Sequence, residues 1–295
     1  MAAADDPSPT RVRNLFADVA IGDWIIPSDD GERVDHVVER TSAFTRRASF
    51  EGDRFVSDTL AANIDSVFLV HALGKPPNQR RLERELVLAF DSGAQPVVVL
   101  TKADLVDDPG PSRDQLADVA LGVPVLIASG RDRTGLADIR AYAAGNRTLA
   151  FLGASGVGKS TLVNALLDDD VMDTGAVREA DHRGRHTTIA AQLLALPGEG
   201  WLIDTPGVRA VSLWLSGHGI ERAFADVFEL MDHCRFRDCK HDREPGCAVR
   251  AAIEAGELDP ARLASLERLV AEELALEEEQ RRQLKLDDKR GHRKS

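Results

Sequence analysis

The chain is poor in cysteine, in long apolar runs and in net positive charge, and each shortage closes off a class of protein. Only three cysteines occur in 295 residues, Cys234, Cys239 and Cys247, all in one short window. An odd number in a chain with no export signal does not read as a disulfide framework, so metal binding is the better first reading. No stretch approaches the ~18–20 uncharged apolar residues of a membrane span. The start, Met1 to Thr10, is acidic and lacks a basic segment followed by an apolar one. A cytoplasmic protein with no membrane partner is therefore expected. The formal net charge of −12 argues against indiscriminate adhesion to nucleic acid. Repeats and low-complexity tracts are missing too.

What is present is a 43% hydrophobic content, enough to bury a core spread over two or three units. Residues 1–10 are small, acidic and proline-containing, and are expected to be disordered. From residue 11 to 62, short apolar runs such as Trp24-Ile25-Ile26 alternate with turn signals such as Ser28-Asp29-Asp30-Gly31, which predicts a small antiparallel β unit. From residue 63 to about 215 the pattern is strand, helix, strand. Strands are predicted at Ser66–Ala72, Pro96–Leu100, Val123–Ala128, Thr148–Leu152, Thr188–Leu196 and Gly200–Ile203, and helices at Gln79–Ser92, Arg113–Leu121, Leu136–Ala144 and Lys159–Leu167. Such alternation means an α/β fold with a mostly parallel sheet covered on both faces. Residues 216–295 are helical, with Leu263, Leu266, Leu269 and Leu274 marking one face of a long helix. Residues 251–280 carry nine acidic groups against Arg262 and Arg268, whereas residues 281–295 carry seven basic groups against Asp287 and Asp288. The two blocks are either solvated parts of one helix and its frayed end, or the basic tail is a phosphate-backbone contact.

The chemistry starts at Gly153-Ala154-Ser155-Gly156-Val157-Gly158-Lys159-Ser160-Thr161, which fits G-x-x-x-x-G-K-[ST] between an apolar strand and a helical run. The glycines let backbone N–H groups converge on phosphate oxygens, and the helix start adds partial positive charge. Lys159 is placed to reach the β- and γ-phosphates, and Ser160 to bind Mg²⁺. Downstream, Asp204-Thr205-Pro206-Gly207 ends an apolar strand as a D-x-x-G signature, whose Gly207 can sense a γ-phosphate. Between them, Gly184-Arg185-His186-Thr187-Thr188 offers threonines that can close onto Mg²⁺; Thr188 is the choice, with Thr187 open.

Base recognition is assigned to Thr101-Lys102-Ala103-Asp104 at the end of a buried strand, close to the N-K-x-D that reads guanine. A carboxylate there accepts from the N1–H and N2–H₂ of guanine, which adenine does not present, while the lysine stem packs on the base. Thr101 is shorter than the usual asparagine, which points to a somewhat weaker hold on the nucleotide. Ser129-Gly130, ending a further strand, matches the loop whose N–H meets the base carbonyl. These elements precede the phosphate loop, whereas in an ordinary GTPase they follow it. The order is permuted, and the pocket survives because all these segments sit at carboxyl ends of strands in one sheet.

Cys234, Cys239, His241 and Cys247 form a C-x₄-C-x-H-x₅-C array, which fills a tetrahedral zinc shell with no open position and so implies one structural Zn²⁺. His233 is a competing ligand, but the spacing favours His241.

Taken together, the permuted order, the phosphate loop, the G-R-H-T-T and D-T-P-G segments and the cysteine array resemble the RsgA GTPases over about residues 18–285. Val19 to Trp24 and Leu60 to Asp65 look like that family's N-terminal oligonucleotide-binding (OB) barrel and its junction with the GTPase domain. The resemblance implies an OB-like β-barrel, a circularly permuted GTPase domain and a helical zinc-binding domain. Little chain precedes Gly22-Asp23-Trp24, so the barrel is expected to be incomplete. It also implies binding to the small ribosomal subunit and its rRNA late in maturation, with ribosome-stimulated hydrolysis of GTP, by a monomer. Ras-like enzymes place a glutamine after the D-x-x-G glycine; here Val208 stands there, which leaves His186 as the candidate catalytic group beside Lys159. Two rival readings are a P-loop ATPase and a nucleotide-gated rRNA-binding scaffold with vestigial hydrolysis.

Overall fold

The computed structural model describes residues 12–14, 18–46, 58–170, 192–204 and 217–291. Its centre is a six-stranded sheet built from β5 (Ser66–Ala72), β6 (Gln95–Thr101), β7 (Val125–Ile127), β8 (Thr148–Gly153), β9 (Gln192–Ala195) and β10 (Trp201–Asp204). The strand order is β7-β6-β5-β8-β10-β9. All neighbours are parallel except the edge strand β9, which runs antiparallel to β10. The chain moves outward from β5 through β6 to β7, then returns to the other side of β5 with β8. That reversal puts a switch point between β5 and β8, where open α/β sheets bind ligands.

The strands are buried on both faces, so they read as unbroken apolar runs rather than as alternation. Val97 to Leu100 and Val67 to Val70 are almost wholly inaccessible. Their side chains still alternate between two cores. Val67, Leu69, Val98 and Leu100 pack with Leu82 and Leu86 of α1 (Gln79–Ser92) and Leu116 of α2 (Gly110–Ala120). Phe68, Val70, Val97 and Val99 pack with Leu136 and Ile139 of α3 (Leu136–Ala141) and Leu162 and Leu166 of α4 (Lys159–Leu167). Helix α1 is delimited by Asn78, whose side chain accepts from the Arg81 N–H, and by Gly93 in the left-handed region at φ 83°.

Beyond β10 come α5 (Gly217–Ala223), α6 (Ala225–Asp232), α7 (Ala248–Ala255) and α8 (Pro260–Gly291). Phe224, Val249, Leu263, Leu266 and Leu269 of this region belong to the same core as α1. Leu274, expected on the buried face, is 56% exposed, because the core ends with Leu269 and α8 runs on past it. The helix runs through the acidic block and into the basic one, to Gly291. Among the described residues, no helix is long and apolar enough to cross a membrane.

Before the sheet, β1 (Ile25–Pro27) pairs antiparallel with β2 (Val34–Val37), and β3 (Ala43–Arg46) with β4 (Asp58–Ala62). Among the described residues these are separate two-stranded sheets, so an OB-like barrel is not shown. Strands this short do not hold alone. Polar pins join them: Arg40 donates to Asp23, to Asp18 and to Thr59, while the Asn63 side chain accepts from the Thr41 N–H at 2.9 Å and donates to the Gly22 carbonyl at 3.0 Å.

Leu82 is fully buried where α1 meets the sheet. Leu82→Ala is expected to lower the unfolding free energy by about 2–5 kcal/mol in a urea titration, and a loss below about 1 kcal/mol would contradict its place in the core.

Candidate nucleotide and metal sites

Because β6, β7, β8 and β10 are co-directional with β5 in one sheet, their carboxyl ends emerge along one edge. Thr101-Lys102-Ala103-Asp104, Ser129-Gly130, the Gly153–Thr161 loop and Asp204 therefore sit at the same end of the sheet. Gly153 closes β8 with φ 153°, and a Cβ there would lie 2.5 Å from the Val70 carbonyl oxygen, so the turn needs glycine. Gly158 precedes the first turn of α4, and no side chain caps that helix start. Backbone N–H groups and the positive end of the helix dipole are left facing the loop, the elements of an anion site. The buried Lys159 ammonium turns onto the loop, donating to the carbonyls of Gly153, at 2.7 Å, and of Ala154.

The Thr101–Asp104 turn, to which the sequence assigns base reading, is stitched directly to this loop. The Thr101 hydroxyl contacts the Val157 carbonyl and lies 3.2 Å from the His71 carbonyl, and the Lys102 ammonium donates to the Gly156 carbonyl at 2.8 Å. The shorter threonine thus still reaches the phosphate loop. Lys102 adopts φ 61°, a left-handed conformation uncommon for a side-chain-bearing residue and one that local bonds must maintain. Asp104 accepts from the Ser129 hydroxyl at 2.7 Å, and the same Ser129 oxygen accepts from the Arg131 N–H at 3.2 Å. Gly130 lies against α4: a Cβ there would come 2.6 Å from the Thr161 carbonyl oxygen. Hydrogen bonds therefore join the phosphate loop to the Thr101–Asp104 turn and that turn to the serine loop, which packs against α4 at Gly130.

A further polar cluster, not signalled by any motif, joins the segment after Ser129-Gly130 to the far end of α4. Arg133 and Arg140 both bind Asp168, which closes the carboxyl end of α4, and both also donate to carbonyls of its last turn. The Arg133 guanidinium, with Arg140 behind it, holds the Asp168 carboxyl below the usual carboxylate range. A cavity of about 460 Å³ lies between Gly130, Arg131 and Arg133 on one side and Thr161, Asn164 and Asp168 on the other. No motif links residue 133 to residue 168; only the apposition of the serine loop and α4 does. The sequence assignments at Gly184, Arg185, His186, Thr187 and Thr188, and at Thr205, Gly207 and Val208, lie outside the described residues.

In the helical unit, one ligand atom each from Cys234, Cys239, His241 and Cys247 lies within 4.8 Å of the others. The Cys234 and Cys247 sulfurs are 3.9 Å apart, and His241 Nδ1 is 3.7 Å from the first and 3.5 Å from the second. A tetrahedral zinc ion has edges of about 3.8 Å between sulfurs and about 3.5 Å between sulfur and nitrogen, so the donor set fits the ion. His241 is held at φ 58°, whereas His233 is turned away, its Nδ1 2.7 Å from the Glu229 carbonyl. Burial pushes the Cys234 thiol up, but backbone N–H groups of Val249 and Ala248 at the start of α7 outweigh it and leave the group lowered. Burial drives Cys239 the other way, to about 11.

Comparison with known proteins identifies the family and the fold. The family model described as RsgA GTPase matches residues 37–214. A Streptomyces coelicolor protein named small ribosomal subunit biogenesis GTPase RsgA is 47% identical, over 86% of this chain and 70% of its own. Its counterpart RsgA 2 in Vibrio parahaemolyticus is 41% identical over 89% and 73%. Among solved structures, YjeQ from Thermotoga maritima superposes with a TM-score of 0.60 at 28% identity, covering 87% of this chain and 84% of that one. YloQ, described as a circularly permuted GTPase, gives 0.58 at 26% identity, covering 86% and 80%.

Proposed function

This chain belongs to the RsgA GTPase family, and from that premise we propose that it binds the small ribosomal subunit through rRNA, assists its late maturation, and hydrolyses GTP under subunit stimulation. The observation that supports the reading is the stitching of Thr101 and Lys102 to the phosphate loop, which brings the segment that carries Asp104 beside the segment that carries Lys159. In it, Asp104 accepts from the guanine N1–H and N2–H₂, and the Lys102 stem lies along the base. The Ser129-Gly130 backbone meets the base carbonyl. Backbone N–H groups from Ala154 to Thr161 take the β-phosphate, and Lys159 spans the β- and γ-phosphates.

Ser160, on the first turn of α4, and Thr188 would hold Mg²⁺, which supplies charge neutralisation on the phosphate oxygens. Asp204 and the Gly207 N–H sense the γ-phosphate. With Val208 unable to orient water, His186 takes that role. One zinc ion on Cys234, Cys239, His241 and Cys247 serves structure, since four protein ligands leave no position for a substrate. The protein acts as a cytoplasmic monomer.

Specificity for guanine resides in Asp104. Asp104→Asn is expected to weaken GTP binding by about tenfold or more, or 1.4 kcal/mol, and to gain XTP binding, since an amide can donate to the xanthine O2. An unchanged GTP-to-XTP ratio in competition titrations would remove Asp104 from base reading. His186→Ala is expected to retain GTP affinity and lose about tenfold or more in stimulated turnover, roughly 1.4 kcal/mol in the barrier. Equal turnover would exclude the histidine. Co-sedimentation with small subunits tests the partner: more protein should pellet with a non-hydrolysable GTP analogue than with GDP, and equal amounts in both would count against a nucleotide-gated interaction.

A further inference from the structure

The cysteine-bearing unit is fastened to the GTPase core by a buried charged group that no motif announces. Arg262, at the start of α8, is 7% exposed. Its guanidinium donates to Glu83 of α1 at 3.0 Å, to both carboxylate oxygens of Asp226 at 3.0 Å, and to the Ala223 carbonyl at 2.7 Å. The face of the group lies 4.4 Å from the centre of the Phe224 ring. The second oxygen of Glu83 accepts from Ser265, and Arg268 donates to the same Ser265 hydroxyl. A side chain from α8 thus joins α1, α5 and α6 in one polar knot at the edge of the apolar core, with Asp226 partly exposed.

Apolar residues of similar volume would hold these helices together at least as well, because removing two charges from water costs several kcal/mol per ion. What a charged knot adds is orientation: its bonds survive only in one register of α1 against α8. Helix α1 is also tied to the nucleotide end of the sheet. Glu85 lies 2.9 Å from Nε2 of His71, with both side chains buried, and accepts from Arg81 at 2.8 Å. The His71 carbonyl is in turn one of the two partners of the Thr101 hydroxyl, the other being the phosphate-loop carbonyl of Val157. A series of close polar approaches therefore runs from the phosphate loop, past Thr101 and His71, to Glu85 of α1, where the 2.9 Å approach of His71 to Glu85 lacks hydrogen-bond geometry, and α1 is bonded through Glu83 to Arg262. On the other side, α5 meets α1 where the Gly219 N–H donates to Asp91 at 2.7 Å.

We infer that Arg262 is a positioning residue that locks the cysteine-bearing unit to helix α1, so that a nucleotide-dependent shift at the phosphate loop is delivered to the Cys234–Cys247 cluster. The inference rests on the nucleotide reading above but not on the ribosomal one. The chain contains its own reporter, since its three cysteines all lie in that cluster.

The test uses the full zinc-loaded chain with Mg²⁺ and either GDP or a non-hydrolysable GTP analogue, and follows the rate at which an aromatic disulfide modifies the thiols. The wild-type rates are expected to differ between the two nucleotides by about fivefold or more, the lower range of measured site-to-site coupling. Arg262→Met should bring the ratio close to one while leaving affinity for fluorescent GDP unchanged. The double variant Arg262→Met/Glu83→Leu, which replaces the ion pair with apolar contact, and the isosteric Glu83→Gln carry the same expectation and guard against a simple failure to fold. Equal rates in the wild type, or a full wild-type ratio in any folded variant, would overturn the inference. Failure to bind fluorescent GDP at all would instead sink the nucleotide site itself.

Discussion

The nucleotide end of this protein depends on a contact between two segments far apart in the chain: the Thr101 and Lys102 side chains on the carbonyls of Val157 and Gly156. Without it, the phosphate loop and the base-reading turn would be separate turns on neighbouring strands. With it, their spacing is set by hydrogen bonds and by the parallel register of β5 with β6 and β8. A left-handed Lys102 is the local cost, offset by its bond to the loop and by the Ser129 bond that orients the Asp104 carboxylate. The permuted order is compatible with this because a parallel sheet collects strand ends by position in the sheet, not in the sequence.

Much of the architecture was legible for the same reason. β5, α1 and α4 occupy the residues that apolar runs and helical periodicity predict, since fully buried strands and two-faced helices leave strong local signals. The cysteine array is local too, so spacing alone selects four residues that the fold brings together. Long-range polar contacts leave no such trace. Nothing near Arg262 in sequence points to Glu83, and nothing near Arg133 points to Asp168; both pairs follow from helix packing settled only in three dimensions. Leu274 shows the opposite failure, a correct helical period carried past the point where a neighbour remains to cover it. The N-terminal segment reads as β-structure, yet its described strands form two small sheets, because turn signals count strands without fixing how they pair.

Function follows from how the two larger parts are joined. Among the described residues the helical unit shows no separate core; Phe224, Val249 and Leu266 share one with α1 and the sheet. Cys234, Cys239, His241 and Cys247, at the loop between α6 and α7, are close enough together to hold a metal ion, the kind of staple that small units use in place of buried area. The unit is entered from the end of β10, where Asp204 stands, and is fastened at Arg262 to a helix that borders the nucleotide end. A protein built in this way can present a distant surface in an orientation that depends on which nucleotide is bound, and that is what a GTPase acting on a large assembly requires.

The central claim is that Lys159 and Asp104 hold opposite ends of one guanine nucleotide. A crystal structure of the chain with GDP and Mg²⁺ tests it most directly. The guanine edge is expected within about 2.7–3.2 Å of the Asp104 carboxylate, and the β-phosphate at the same distance from Lys159. Density for the phosphates elsewhere, or a base that does not approach Asp104, would contradict it.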